Sequence, residues 1–269
     1  KNADVMSNTQ QRISSIDSLR GLAIVMVSAI HCSQSFSSKL GVTNLLTPYG
    51  SLGVQLFFII SGFTMLLTFG GNFNSSTVKS FYIRRVARIA PLFWVATLGY
   101  LWLDGMGARF WAPHGIDWAL ITLTLSFLNG FTPDAINAIV PGGWSIGVEM
   151  QFYLIFPVFA FLFIERKKYT IAPYLLITAI YLFGLLISRI YSSNELNLLF
   201  EIKDRSLTTA FFYFWLPNQL LCFGFGFLLY EKLEKNNLNL FGAALLICTA
   251  LLTSLGLSIL FLFLLSYFV

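Results

Sequence analysis

In 269 residues the chain carries 57% hydrophobic and only 11% charged side chains, with a mean hydropathy of +0.74. A soluble domain covers its surface with about 25% charged residues, so the composition excludes one of any size and points to a polytopic α-helical membrane domain. The net charge of +5 lies in short clusters between apolar runs, which excludes nucleic acid as a partner. Cys32, Cys222 and Cys248 fall in apolar runs at unrelated spacings and suggest neither a disulfide framework nor a metal site.

Residues 1–15 are polar and read as a cytoplasmic N-terminal tail; 16–269 read as one transmembrane domain. No small-residue cleavage pattern follows the first apolar run, so it is a retained span, not a signal peptide. By apolar length, about eight spans are predicted near 18–37, 51–70, 89–103, 145–164, 171–188, 209–229, 239–253 and 255–269. The run DWALITLTLSFL at 117–128 is too short to cross and predicts a re-entrant or interfacial helix. The last apolar run, ILFLFLLSYFV, ends at Val269 with no polar tail, so both ends are expected to be trimmed.

Charge decides the topology. The basic clusters are Lys79-Arg84-Arg85-Arg88, Arg166-Lys167-Lys168 and Lys232-Lys235. If 117–128 does not cross, all three fall on one side together with Arg12, as the positive-inside rule requires. The N-terminus is then cytoplasmic, and the segments 38–50, 104–144 and 189–208 face outward. Arg189, Lys203 and Arg205 in the last of these run against the rule.

Four stretches carry residues able to do chemistry. In SLRGLAIVMVSAIH, Arg20 and His31 stand eleven residues apart; eleven steps of about 100° return to the same helix face, roughly 16 Å further along the axis. Asp17, three residues before Arg20, lies near that face. The bland alternative is an arginine snorkelling to headgroups and a satisfied interfacial histidine. In GSLGVQLFFIISGFTM, Ser61, Gly62 and two further glycines interrupt an aromatic-rich span, where small residues admit either a neighbouring helix or a ligand to the backbone. In FYIRRVARIAPLFW, Arg85 and Arg88 are expected to share a helix face, and Pro91 to re-aim the chain into the next span. Paired guanidinium groups suit phosphate, although a topology signal or a lipid contact would use the same residues. In PGGWSIGVEMQFYLIFPV, Glu149 falls in an apolar run with Ser145 and Tyr153 four residues to either side. A carboxylate there is a functional candidate or the structural partner of a buried cation. His114, Asp117 and Asp134 sit in the polar outer segment and need no special explanation.

Taken together, these stretches resemble the acyltransferase-3 family of integral-membrane O-acyltransferases, which includes cell-surface polysaccharide O-acetyltransferases. The resemblance rests on Asp17-Ser18-Leu19-Arg20-Gly21 followed by His31; on G-x-x-G-V-x-x-F-F-x-x-S-G-F from Gly50 to Phe63; and on R-x-x-R-I-x-P from Arg85 to Pro91. It rests further on W-S-x-x-x-E-x-x-F-Y from Trp144 to Tyr153, and more weakly on Q-L-x-x-F-x-x-G from Gln219 to Gly226. Beyond residue 160 the likeness is mainly one of hydropathy. Family members have about ten spans, so one or two terminal helices are expected to be missing.

The resemblance implies an enzyme of the bacterial cytoplasmic membrane that passes an acyl group, usually acetyl, from cytoplasmic acyl-CoA to a hydroxyl of an extracytoplasmic glycan or lipid-linked saccharide. No cofactor is implied beyond acyl-CoA as donor substrate. It implies His31 and Glu149 as catalytic residues and Arg20, Arg85 and Arg88 as ligands of the CoA phosphates. Asp17, Ser61, Gly62, Ser145 and Tyr153 would support them. His31 would act as general base toward the acceptor or as the nucleophile that first takes the acyl group. The alternative is a secondary transporter of an anionic or glycan-linked solute, since membrane Arg, His and Glu also suit relays. The inverted repeat common among transporters is absent from the sequence.

Overall fold

A computed structural model describes residues 2–35, 50, 52–69, 73–164, 171–192 and 205–234. Among them, all regular structure is helical. Helix α1 spans Asn2–Ser35, α2 Leu52–Phe69, α3 Ser75–Asp104 and α4 Trp118–Leu125. After a 3-10 turn at Asn129–Phe131, α5 spans Gly143–Ile164 and α6 Ala172–Ser192. Two consecutive helices follow, α7 at Arg205–Phe214 and α8 at Leu216–Glu234. Five candidate membrane spans stand among the described residues: α2, α3, α5, α6 and the α7–α8 stretch Ser206–Lys232. The chain is thus an integral membrane protein. The predicted spans at 239–253 and 255–269 lie outside the described residues.

Two compact units are built from these helices, one from residues 1–68 and 221–269, the other from 69–220. In the first, α1, α2 and most of α8 meet around Ile16, Ala23, Leu56, Ile60, Phe63 and Leu229. Lipid is as apolar as these side chains, so association depends on close packing rather than on expelling water. Glycines permit it. A Cβ on Gly50 would lie 2.8 Å from the Met26 carbonyl oxygen, and one on Gly53 would lie 2.7 Å from that of Ala23. Gly62 and Gly226 make the crossing of α2 with α8, where a Cβ on Gly62 would strike the Phe223 carbonyl. Phe58 stacks on Phe223 beside them at 4.8 Å.

The second unit joins α3, α5, α6 and α7 through aromatic packing. Phe81 stacks on Phe156 at 4.8 Å, and Phe69 meets both edge-on. Helix α3 corrects one expectation. It is a single helix of 30 residues with Pro91 inside, so the basic segment 79–88 and the span predicted at 89–103 are one helix and Pro91 does not divide them. Proline removes one backbone N–H and crowds the carbonyl four residues back, which a long membrane helix tolerates. Asn74 caps its start by accepting from the Thr77 N–H at 2.8 Å. Gly105, at φ 66°, ends it by donating to the Leu101 carbonyl.

The segment between α3 and α5 is a folded cap. Asp117 accepts from the Leu120 N–H at 2.8 Å and starts α4; this is the role of a residue that the sequence left without one. At eight residues α4 is about 12 Å long, well short of a bilayer, as predicted for 117–128. Trp94 of α3 donates its indole N–H to the Leu125 carbonyl at 2.9 Å, satisfying one of the orphaned groups at the end of α4. Phe127 then reverses the chain at φ 61°, held by its ring stack on Phe93 at 5.4 Å. The chain folds back onto α5: buried Asn129 donates to the carbonyls of Ile136 and Gly143, and a Cβ on Gly147 would lie 3.0 Å from the Asn129 carboxamide oxygen.

Candidate functional site

Helix α1 alternates in exposure with a helical period. Ile16 and Ala23 are buried, Arg20, Val27 and His31 half-buried, and Asp17, Leu22, Val25 and Cys32 exposed. Arg20 and His31 therefore lie on the stripe that faces protein, as eleven-residue spacing requires. Asp17 holds the guanidinium of Arg20 at 2.9 Å, with their side chains 61% and 28% exposed. A pair so exposed contributes a few tenths of a kcal/mol. It fixes a direction for the guanidinium more than it stabilises the helix. Gly50 and Gly53 lie against this same helix at Met26 and Ala23, between Arg20 and His31.

In the second unit the structure joins three of the expected residues in a chain. Arg85 is buried at 8% exposure, its guanidinium carbon 5.6 Å from the Phe81 ring centre and 5.4 Å from that of Tyr153. The Tyr153 hydroxyl donates to the Glu149 carboxylate. A cation over an aromatic face, whose hydroxyl bonds an anion, places opposite charges at the two ends of one tyrosine. Four-residue spacing on α5 sets Glu149 under Tyr153.

Two expectations are corrected here. Arg85 and Arg88 differ in burial: the buried stripe of α3 includes Phe81, Arg85 and Phe93, whereas Arg88 at its edge is exposed, with both charges acting on Tyr153. Three residues are about 60° short of a full turn, and the edge of the buried face falls between them. Ser145 does not face the carboxylate, because its hydroxyl donates to the Gly142 carbonyl at 2.9 Å and serves the first turn of α5. Gly62 takes the helix-packing alternative, at the crossing with α8, and the carbonyl of Ser61 accepts from the Thr64 hydroxyl at 3.3 Å. His31 belongs to the first unit and Glu149 to the second.

The chain matches the family described as an acyltransferase domain, acyltransferase-3, over residues 13–269. It belongs to the acyltransferase-3 family. Among curated members it is 29% identical over 196 residues to the peptidoglycan O-acetyltransferase OatA of Listeria monocytogenes, a match covering 66% of this chain and 28% of that protein. It is 31% identical over 154 residues to the acyltransferase MdmB of Streptomyces mycarofaciens, covering 54% and 38%. Against the O-acetyltransferase OatA of Staphylococcus aureus it is 26% identical over 210 residues, covering 68% and 32%. The matched region thus spans 28% to 38% of the length of these three relatives. No solved structure gives a significant match.

The Arg85–Tyr153–Glu149 chain of this acyltransferase-3 domain has a measurable signature. Tyr153→Phe keeps the ring beside Arg85 but leaves a half-buried carboxylate one donor short. The expected cost is about 1–3 kcal/mol of stability, read as a lowered unfolding temperature in detergent. Glu149→Gln in the same background should recover part of it, since an amide is cheaper to leave under-solvated than a carboxylate. Strictly additive losses would show that the two side chains act separately.

Sequence reasoning missed both aromatic partners of Arg85: Phe81 is one turn earlier on α3 and was legible from i,i+4 spacing, whereas Tyr153 lies on α5 and only tertiary packing pairs it with Arg85. It also treated Trp215 and Asn218, on either side of the α7–α8 break, as part of one uninterrupted span.

Proposed function

We propose that this protein transfers an acyl group, acetyl in the simplest case, from cytoplasmic acyl-CoA to a hydroxyl of an extracytoplasmic glycan. Membership of the acyltransferase-3 family supports this, as do relatives named for O-acetylation of peptidoglycan. The observation that carries the reading is the protein-facing stripe of α1, on which Arg20 and His31 stand about three turns apart. The N-terminus is cytoplasmic in this reading. Arg20 and the exposed Arg88 are assigned to the CoA phosphates, and Arg85 is seated against Tyr153. The pantetheine arm then runs along α1 and presents its thioester at His31.

There the acceptor O–H gives its proton to the imidazole while the oxygen attacks the thioester carbonyl. Collapse of the tetrahedral intermediate breaks the C–S bond, and the imidazolium returns the proton to the departing thiolate, releasing CoA-SH and the ester. If His31 is instead the nucleophile, the same bonds change in two steps, through an acyl-imidazole. Glu149 is the second catalytic residue in this reading, its carboxylate held by the Tyr153 hydroxyl.

The test uses membranes containing the protein and acetyl-CoA labelled in the acetyl group. Label appearing in surface glycan as an alkali-labile ester supports transfer. Label confined to intact acetyl-CoA, with solute uptake in its place, would favour a transporter and sink the proposal.

A further inference from the structure

The stretch Ser206–Lys232 is apolar enough to span a membrane, yet it is not one helix. It breaks at Trp215, between α7 and α8. Pro217, with no N–H, stands in the first turn of α8, and a Cβ on Gly184 of α6 would lie 2.7 Å from the Pro217 Cβ. A break within a span frees backbone carbonyls that lipid cannot satisfy. Two amides repair this one: Asn218 donates to the Phe212 carbonyl and, at 3.0 Å, to the Ser188 hydroxyl, while Gln219 donates to the Tyr213 carbonyl at 2.8 Å.

Their oxygen ends are left over. The Asn218 Oδ1, the Gln219 Oε1 and the indole Nε1 of Trp215 are shut off from solvent with no hydrogen-bond partner, and Gln219 as a whole is only 3% exposed. Each such atom costs about 1–3 kcal/mol if nothing answers it, and three within five residues demand an explanation. The break lies at the end of α5 that carries the W-S-x-x-x-E motif, since Phe214 stacks on Trp144 at 4.3 Å. Trp111 of the cap approaches the same Phe214 at 6.1 Å.

We propose that the α7–α8 break is the binding site for the acceptor saccharide, whose hydroxyls answer Trp215, Asn218 and Gln219. The atoms themselves select this chemistry. Two acceptor oxygens need donors and one N–H needs an acceptor, and neighbouring hydroxyls supply both. A phosphodiester or carboxylate has no proton to give the amide oxygens, and an acyl chain answers none of the three. The aromatic residues crowded at the break, Phe211 to Trp215, suit the apolar faces of sugar rings. The assignment rests on the reading above that the acceptor is a glycan.

The experiment titrates full-length protein in detergent with chitotetraose, a soluble N-acetylglucosamine oligomer, and separately with CoA. Trp215→Phe should weaken the saccharide about tenfold and leave CoA affinity within about twofold. It should not lower the unfolding temperature of the unliganded protein, because the deleted N–H had no partner. Gln219→Met, which loses one internal hydrogen bond as well, should weaken the saccharide likewise. If no acetyl label moves to any glycan but Trp215→Phe still loses saccharide affinity, the transfer reading falls and the site stands. Equal saccharide affinity in wild type and Trp215→Phe, no saccharide binding by the wild type, or a loss of CoA affinity in its place overturns the site.

Discussion

His31→Ala is expected to lower acyl transfer by about 100- to 10,000-fold, the range over which a positioned general acid–base group acts. The substitution shortens a half-buried side chain on a stripe whose packing is made by Ile16, Ala23 and the glycines of α2. The fold should therefore survive, with the unfolding temperature close to that of the wild type. Donor affinity should also survive, because the cations assigned to the CoA phosphates are Arg20 and Arg88. Arg20→Ala should do the reverse: weaker CoA binding and a raised KM for acetyl-CoA, with kcat less affected. The pair of variants separates chemistry from binding along one helix. Retention of more than about a tenth of wild-type transfer in His31→Ala would remove the imidazole from the reaction. Protein-bound label formed from acetyl-CoA without acceptor would select the acyl-imidazole route.

The largest expected effect on stability is at Gly226. A Cβ there would stand 2.6 Å from the Phe63 nitrogen and 3.0 Å from the Gly62 Cα, and closer still to the Ile59 carbonyl oxygen. Every one of these is backbone, so no side chain can swing away and the helices themselves must separate. Gly226→Ala is expected to cost about 3 kcal/mol, the upper end for overpacking, and Gly226→Val more. Gly99→Ala in α3 is the matched control. Nothing lies within 4 Å of its Cβ position, and removing a helical glycine stabilises by about 0.5–1 kcal/mol. Thermal unfolding of the three variants in one detergent should therefore move in opposite directions. A tolerated Gly226→Val would mean that α2 and α8 do not cross here.

Sequence alone determined the helical membrane class, the five spans described and the non-crossing helix at 117–128, because length and apolar content are properties of a segment by itself. It also placed Arg20 and His31 on one face, since a helix converts residue spacing into direction, and it set Tyr153 over Glu149 by the same rule on α5. It failed where two helices must be compared. Tertiary packing decided that Arg85 turns inward to Tyr153 while Arg88 stays exposed, and that Gly62 and Gly226 mark a helix crossing. It also decided that an apolar run continuous by hydropathy breaks at Trp215, where Asn218 and Gln219 supply the hydrogen bonds lost at the break. Periodicity fixes which side of a helix a residue occupies; what stands opposite that side is a matter of non-local contact, and no local pattern encodes it.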